Sequence, residues 1–175
     1  MQQQRLGRTT AAAIVALGLG FHAPADAVVR DMFANLTPAS TCQLSIPSTD
    51  TKVRPKAIGY RNEGTTNSFV ICGYPKPNQD GYLTFVNIGV ASFDGQAHTF
   101  NCTTATGVFG NSNILYSTKA VTAPATGSQF FPWGPEDFLS TGTIPESWAM
   151  TVTCTLPPNV SIVYLQYGYK LDVGA

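Results

Sequence analysis

Between positions 148 and 156 the chain reads WAMTVTCTL. Trp148, Met150, Val152, Cys154 and Leu156 are apolar, and Ala149, Thr151, Thr153 and Thr155 fill the alternate places. Successive side chains of an extended chain point to opposite sides, so a period of two predicts a strand with one buried face. A second run, VSIVYLQYGYKL at 160–171, follows the sequence LPPN. Proline has no N–H to offer a ladder, so Pro157 and Pro158 mark a connection between two strands. In the second strand, Tyr164 is predicted to face away from Val163, Leu165, Tyr167 and Leu171, on the side of Ile162 and Gln166.

Shorter runs of the same kind recur upstream. CQLSIP (42–47) predicts a first strand stopped by Pro47, and SFVICG (68–73) a compact buried one. TKVRPKAIGYR (51–61) reads as extended, with Pro55 confining it to an edge or a bulge. YLTFVNIGVASF and QAHTFNCTT flank Asp94-Gly95, and Asp-Gly between two strand-like runs predicts a hairpin. A two-residue turn there would set Phe93 opposite Gln96, Ala91 opposite His98 and Gly89 opposite Phe100. Positions 113–121 and 127–133 give two more strands, and GPEDFL (134–139) one helical turn with Pro135 first. Positions 28–40 are weakly patterned and predict a flexible lead-in or a docking strand. Beyond residue 27 no helix period lasts longer than a turn or two. Eight to ten short strands between turn signals predict an all-β, single-domain antiparallel β-sandwich over 41–175, jelly-roll-like or immunoglobulin-like.

The first 27 residues follow another pattern. Arg5 and Arg8 precede an apolar run at 11–21, and Ala25-Asp26-Ala27 closes it. A charged start, a short apolar middle and small residues at −3 and −1 predict a signal peptide over 1–27. The run is shorter than the ~20 residues a spanning helix needs, so no membrane span is expected. The expected location is secreted or periplasmic, and the alanine-rich leader has a bacterial style.

The whole chain carries 10 basic and 10 acidic side chains. Without Arg5, Arg8 and Asp26 the remainder has eight and nine, a formal charge of −1. That argues against a nucleic-acid binder, which needs a basic excess. Cys42, Cys72, Cys102 and Cys154 all lie beyond the leader. An even count in an exported chain predicts disulfides, and the favoured pairing of the three possible is Cys42–Cys72 with Cys102–Cys154. No two cysteines stand two to four residues apart, so no zinc site is expected, and no other metal or cofactor is indicated.

Catalytic constellations are thin. His98 is the single histidine after the leader; it is predicted to share the inward face of its strand with Phe100 and Cys102, and no G-x-S-x-G elbow accompanies it. Glu136 and Asp137 beside Trp133 and Phe138 are similar to a glycosidase carboxylate pair. Sequence neighbours do not meet that spacing, and acids also favour a helix start. A small secreted hydrolase built on these groups is the least favoured function. Asn78 and Asp80 in NQDG lack the acidic ladder of a calcium loop.

Binding features are more numerous. Lys52, Arg54, Lys56 and Arg61 are half of the basic residues beyond the leader. They suit an anionic glycan or, more simply, guard an exposed strand edge against aggregation. Tyr164 is a candidate for stacking on sugar rings. Thr151, Thr153 and Thr155 form a file like those of ice-binding surfaces, but one file is too little, and threonine is a good strand former. The Asn-x-Ser/Thr sites at Asn35, Asn101 and Asn159 matter only in a eukaryotic secretory pathway.

The final stretch CTLPPNVSIVYLQYGY (154–169), with the leader and four cysteines, resembles a group of small exported bacterial four-cysteine proteins of unassigned function. The resemblance implies a disulfide-stapled β-sandwich whose last two strands form a hairpin, and implies no substrate. The expected function is a non-catalytic envelope or extracellular binding or structural module. Its partner is open between a second copy of itself and an envelope glycan, and a glycan-binding module is the alternative reading.

Overall fold

A computed structural model describes residues 28–46, 52–75, 82–107, 113–145 and 149–174. The leader, Asn78, Asp80 and Trp148 lie outside the described residues. Eleven strands are present among them: β1 (Val29–Leu36), β2 (Cys42–Leu44), β3 (Val53–Lys56), β4 (Gly59–Asn62), β5 (Ser68–Tyr74), β6 (Leu83–Ser92), β7 (His98–Gly107), β8 (Leu115–Ala123), β9 (Gln129–Trp133), β10 (Ala149–Leu156) and β11 (Val160–Asp172). A single helical turn, α1 (Pro38–Thr41), follows β1, and a 3-10 turn spans Pro135–Phe138.

The strands form two antiparallel sheets. Sheet A runs β3-β4-β11-β6-β9, with β1 also paired to β11, and sheet B runs β2-β5-β10-β7-β8. From β4 onward the pairing is nested: β4 with β11, β5 with β10, β6 with β9, β7 with β8. A long antiparallel ladder folded at β7–β8 and rolled over itself gives this order, which is the jelly roll. The sandwich expected from sequence is therefore present, in its jelly-roll form.

The nesting explains two departures from the sequence reading. Asp94-Gly95 does not close a hairpin, because β6 lies in sheet A and β7 in sheet B. Gly89 pairs with Tyr164 and Phe130, not with Phe100. Pro157-Pro158 likewise carries the chain from sheet B to sheet A and is not a hairpin turn. Both connections are corners at the same end of the sandwich, and they hold each other. Phe93 N donates to Asn159 O (2.9 Å), and Asn159 N donates to Asn62 O (2.8 Å). Asn62 is fully buried, and its side chain donates to Thr66 O and Leu156 O while accepting from Gly64 N. A turn dipeptide signals that the chain reverses; only the partner strands decide whether it returns beside itself.

Positions 28–40 are also not a flexible lead-in. β1 pairs with β11 along its whole length, from Val29 opposite Asp172 to Leu36 opposite Leu165, so the docking-strand alternative describes it. The described part of the 51–61 segment forms two strands, β3 and β4, joined tightly across Ala57-Ile58.

Between the sheets lie the alternate apolar positions. Leu83, Val86, Ile88, Val90, Ile162 and Leu165 from sheet A meet Val70, Met150, Val152, Leu156 and Val121 from sheet B, all almost fully buried. Trp133 fills one end. Two interior hydroxyls are satisfied by carbonyls: Thr104 Oγ1 donates to Ser117 O and Thr106 Oγ1 to Pro145 O. The cost of burying these two hydroxyls is thus removed locally.

Both disulfides, Cys42–Cys72 and Cys102–Cys154, are present in the favoured pairing, and no described cysteine is free. Each joins directly opposed residues of neighbouring strands within sheet B. They fasten strand to strand and do not bridge the sheets. The closed loops are 30 and 52 residues apart in sequence, for which the chain-entropy model gives about 3.5–4 kcal/mol each. Replacing Cys102 and Cys154 together by alanine is expected to lower unfolding free energy by about that amount in urea titrations. A loss under about 1 kcal/mol would mean that the denatured chain is not loosened by removing this bond.

Burial raises the pKa of three tyrosines. Burial raises the Tyr74 phenol well above its ordinary range, and its hydroxyl donates to Asn87 O (3.0 Å). Burial also raises Tyr60, against a lowering backbone bond at Leu44, and raises Tyr167 beside Tyr169. A phenol with a raised folded pKa gives stability that is present below the unfolded value of about 10 and is lost as pH climbs above it. Phenolate absorbance during alkaline titration should show Tyr74 ionising only as the circular dichroism signal collapses. Full ionisation with an intact spectrum would refute it.

Candidate functional site

The sheet register sorts the candidate residues onto outer faces. In β11 a bulge at Val163 changes the side-chain sense between Ile162 and Tyr164. Ile162 is fully buried, so Tyr164 shares its outward side with Gln166 but not with Ile162, as simple alternation had predicted. This one irregularity places Tyr164 on the outer face of sheet A.

Three lines of residues cross that face. The middle line is Asn35, Gln166, Asn87 and Pro132, successive partners on β1, β11, β6 and β9. On one side run Tyr164, Gly89 and Phe130, and on the other Phe33, Gly168 and Phe85. An amide line is thus flanked by two aromatic lines, each with a glycine at its centre. Phe33 and Phe130 are 67% and 49% exposed, the kind of surface hydrophobic that solvent alone does not explain when clustered.

The glycines set the height of the rings. A Cβ on Gly89 would stand 2.8 Å from Tyr164 Cβ and 2.9 Å from Phe130 Cε1. One on Gly168 would collide with the Phe85 ring. The rings therefore lie over bare backbone where a side chain would otherwise stand. Phe130 and Tyr164 meet edge to face, centroids 5.2 Å apart, a favoured aromatic geometry.

The polar groups are pre-set. Tyr164 donates its hydroxyl to Asn35 Oδ1, and Gln166 Nε2 donates to both Asn35 Oδ1 and the Tyr164 oxygen at 3.0 Å. Among the described residues nothing else bonds Asn35 Nδ2 or Gln166 Oε1. These leave one donor group and one acceptor on a fixed frame. Phe33, Phe130 and Gln166 were not singled out from sequence, and Asn35 only as an Asn-x-Ser/Thr site. The signal was present only as pairing, since β1 reads as a lead-in until it is laid beside β11.

The other candidates sit elsewhere. The basic segment lies on β3 and β4, at an edge of sheet A. Lys56 Nζ is 2.6 Å from Glu63 Oε1 and Arg54 Nε is 3.8 Å from Oε2, a pairing that holds the Glu63 carboxyl below its ordinary range, chiefly through Lys56. Arg61 stacks 3.5 Å above the centre of the Phe93 ring, and Lys52 is also engaged.

His98 stands at the start of β7 in phase with Phe100 and Cys102, as expected, but at the sandwich's end it is only half-buried. Its Nε2 lies 3.0 Å from both Asp94 oxygens, while Ser92 Oγ donates to Asp94 Oδ1 at 2.8 Å. The carboxylate stands between serine and imidazole. A nucleophilic triad instead needs the imidazole between serine and acid. Here Asp94, held below the usual carboxylate range by His98 and by the Gln96 N–H, caps a corner.

Asp137 accepts from Gly134 N (2.9 Å) and from Lys119 Nζ (2.8 Å), closing the start of the 3-10 turn. Both acids of the Glu136–Asp137 pair lie in that first turn. No group of three or more potential metal ligands occurs among the described residues, and none of their helices is long and apolar enough to cross a membrane.

No protein-family model matches the chain, and no curated protein matches it. Among solved structures it is similar to a family 11 carbohydrate-binding module from Clostridium thermocellum in complex with a beta-1,3-1,4-mixed-linked tetrasaccharide. The TM-score is 0.36 at 13% identity, over 83% of this chain and 90% of that one. It is also similar to a family 30 carbohydrate-binding module of a cellulosomal cellulase of the same organism, with a TM-score of 0.34 at 14% identity, over 84% and 92%. The fold assignment rests on the strand pairing above.

The glycine requirement is testable by itself. Gly89→Ala is expected to displace the Phe130 ring and cost about 1–3 kcal/mol of stability, the usual size of an overpacking penalty. An unchanged melt together with an unchanged Phe130 aromatic NMR signal would show that the ring does not rest on Gly89.

Proposed function

We propose that the protein is a non-catalytic binding module whose outer sheet-A face takes a neutral oligosaccharide. The observation that carries this reading is the amide line Asn35–Gln166–Asn87 set between two aromatic lines on one exposed face. Pyranose rings offer apolar C–H faces and equatorial hydroxyls together. A site with exposed rings and a few pre-oriented amides matches both. The Tyr164–Asn35–Gln166 bonds fix the amides before a ligand arrives, so little ordering remains to oppose binding.

Net neutrality supports an uncharged ligand. Near the site, Asp31 and Lys170 oppose one another across β1 and β11, and Lys119, which reaches Pro132 O at the β9 edge, is matched by Asp137. The basic segment, of which Lys56 and Arg54 meet Glu63, serves as edge protection in this reading. Two structural disulfides fit an extracellular or periplasmic protein, and export through cleavage of 1–27 completes the proposal.

A panel of neutral polysaccharides tested by affinity electrophoresis and calorimetry is expected to yield at least one ligand. Tyr164→Ala and Phe130→Ala should each weaken it about tenfold, near 1.4 kcal/mol, while Arg54→Ala leaves it unchanged. Absence of any neutral ligand, or loss of binding only in Arg54→Ala, would overturn the assignment.

A further inference from the structure

The outer face of sheet B carries no charged residue among its described positions. The register gives its outward side chains. One line holds Phe69 and Thr155 on β5 and β10, continued by Asn101 and Ala120 on β7 and β8. The central line is Ile71, Thr153, Thr103 and Thr118. The third is Gly73, Thr151, Ala105 and Tyr116. All are exposed or half-exposed, with Phe69 at 56% and Tyr116 at 66%. Soluble surfaces ordinarily interleave charges across such an area.

The relief of the face has a symmetry of its own. The large ring stands at the β5 end of one line and at the β8 end of the other. The small residues, Gly73 and Ala120, occupy the two remaining corners. We propose that this face docks on the same face of a second copy, forming a two-fold dimer back to back.

A two-fold axis lying in the interface reflects the corners. With the axis along the strands, Phe69 of each copy meets the other's Ala120, and Tyr116 meets Gly73. With the axis across the strands, Phe69 meets Gly73 and Tyr116 meets Ala120. In either case each knob finds a hole, as an isologous contact requires. The hole at Gly73 is real space, since a Cβ there meets nothing within 4 Å.

Three further features fit this occupant. A neutral face meets its own copy without like-charge repulsion. Four of the threonine hydroxyls already pair within the sheet, Thr103 with Thr118 at 2.8 Å and Thr99 with Thr122 at 2.9 Å. They can leave water carrying their bonds and present methyl groups outward. The four long strands of the face span roughly 20 by 27 Å, so two copies bury on the order of 1,100 Å², just above the roughly 1,000 Å² that a specific interface must clear. Twisted sheets of the same hand pack face to face readily.

Sedimentation equilibrium and light scattering on the oxidised protein should give a dimer dissociating in the micromolar range. Thr153→Lys places like charges against each other at the centre and is expected to give monomer with unchanged circular dichroism. Gly73→Leu fills a hole from a position with free space and is expected to weaken the dimer at least tenfold. Tyr164→Ala, on the opposite sheet, should leave the mass unaltered. A wild-type protein monomeric at millimolar concentration would overturn the proposal. So would a dimer that survives both Thr153→Lys and Gly73→Leu.

Discussion

Every strand of this protein must place its alternate side chains in one shared interior while drawing its ladder partner from far along the chain. β4 pairs with β11, and β5 with β10, so neither sheet closes until the last residues are in position. The apolar layer that joins Ile88, Ile162 and Leu165 to Val70 and Val152 is therefore what holds a rolled ladder shut. Pairings of such high separation are slow to find, because loop closure opposes them before burial rewards them. The Cys102–Cys154 bond lies at one of these distant pairings, where a covalent tie narrows the search most. Cys42–Cys72 fixes the short β2 strand, which three residues could hardly hold by hydrogen bonds alone.

What could be read from the chain alone follows from which interactions are local. Alternation at 150–156 located a half-buried strand, because side-chain direction depends only on the pleat. Pro135 and the acids after it located a helical turn, because capping is settled within four residues. Asp94-Gly95 was misread as a hairpin because a reversal looks the same whether the chain returns to its own sheet or crosses to the other. Asp94 serves the corner by bonding Ser92, Gln96 and His98. The same residues would be equally content in a tight turn. Nothing within ten residues distinguishes the two.

The candidate site was legible only through Tyr164. Its neighbours in space come from β1, β6 and β9, and alternation on each of those strands reveals a face but not which residue stands beside which. The bulge at Val163 also misled, since it reverses the sense of Ile162 relative to Tyr164. Bulges re-aim side chains by inserting one residue, and they leave no mark in composition. Gly89 and Gly168 are a signal that sequence does contain. Glycine weakens a strand interior and marks close approach of another group. Here the approaching groups are the aromatic rings of Phe130 and Phe85, which makes the glycines part of the surface they seem to interrupt.

The two sheets divide the labour unequally. Sheet B has both disulfides on its inner side and an uncharged, threonine-rich outer side. Sheet A has the bulge, the central glycines and the aromatic lines. In the two proposals above, a face that matches itself is best built on strands fastened at fixed register, whereas a face that takes a ligand uses local irregularity. Joined through sheet B, two sandwiches make four layers about 10 Å apart, so the two sheet-A faces look in opposite directions across roughly 30 Å. No short oligosaccharide reaches both. Such a dimer gains avidity only where neighbouring polymer chains occupy both sides at once, so it would bridge glycan strands instead of gripping one more tightly.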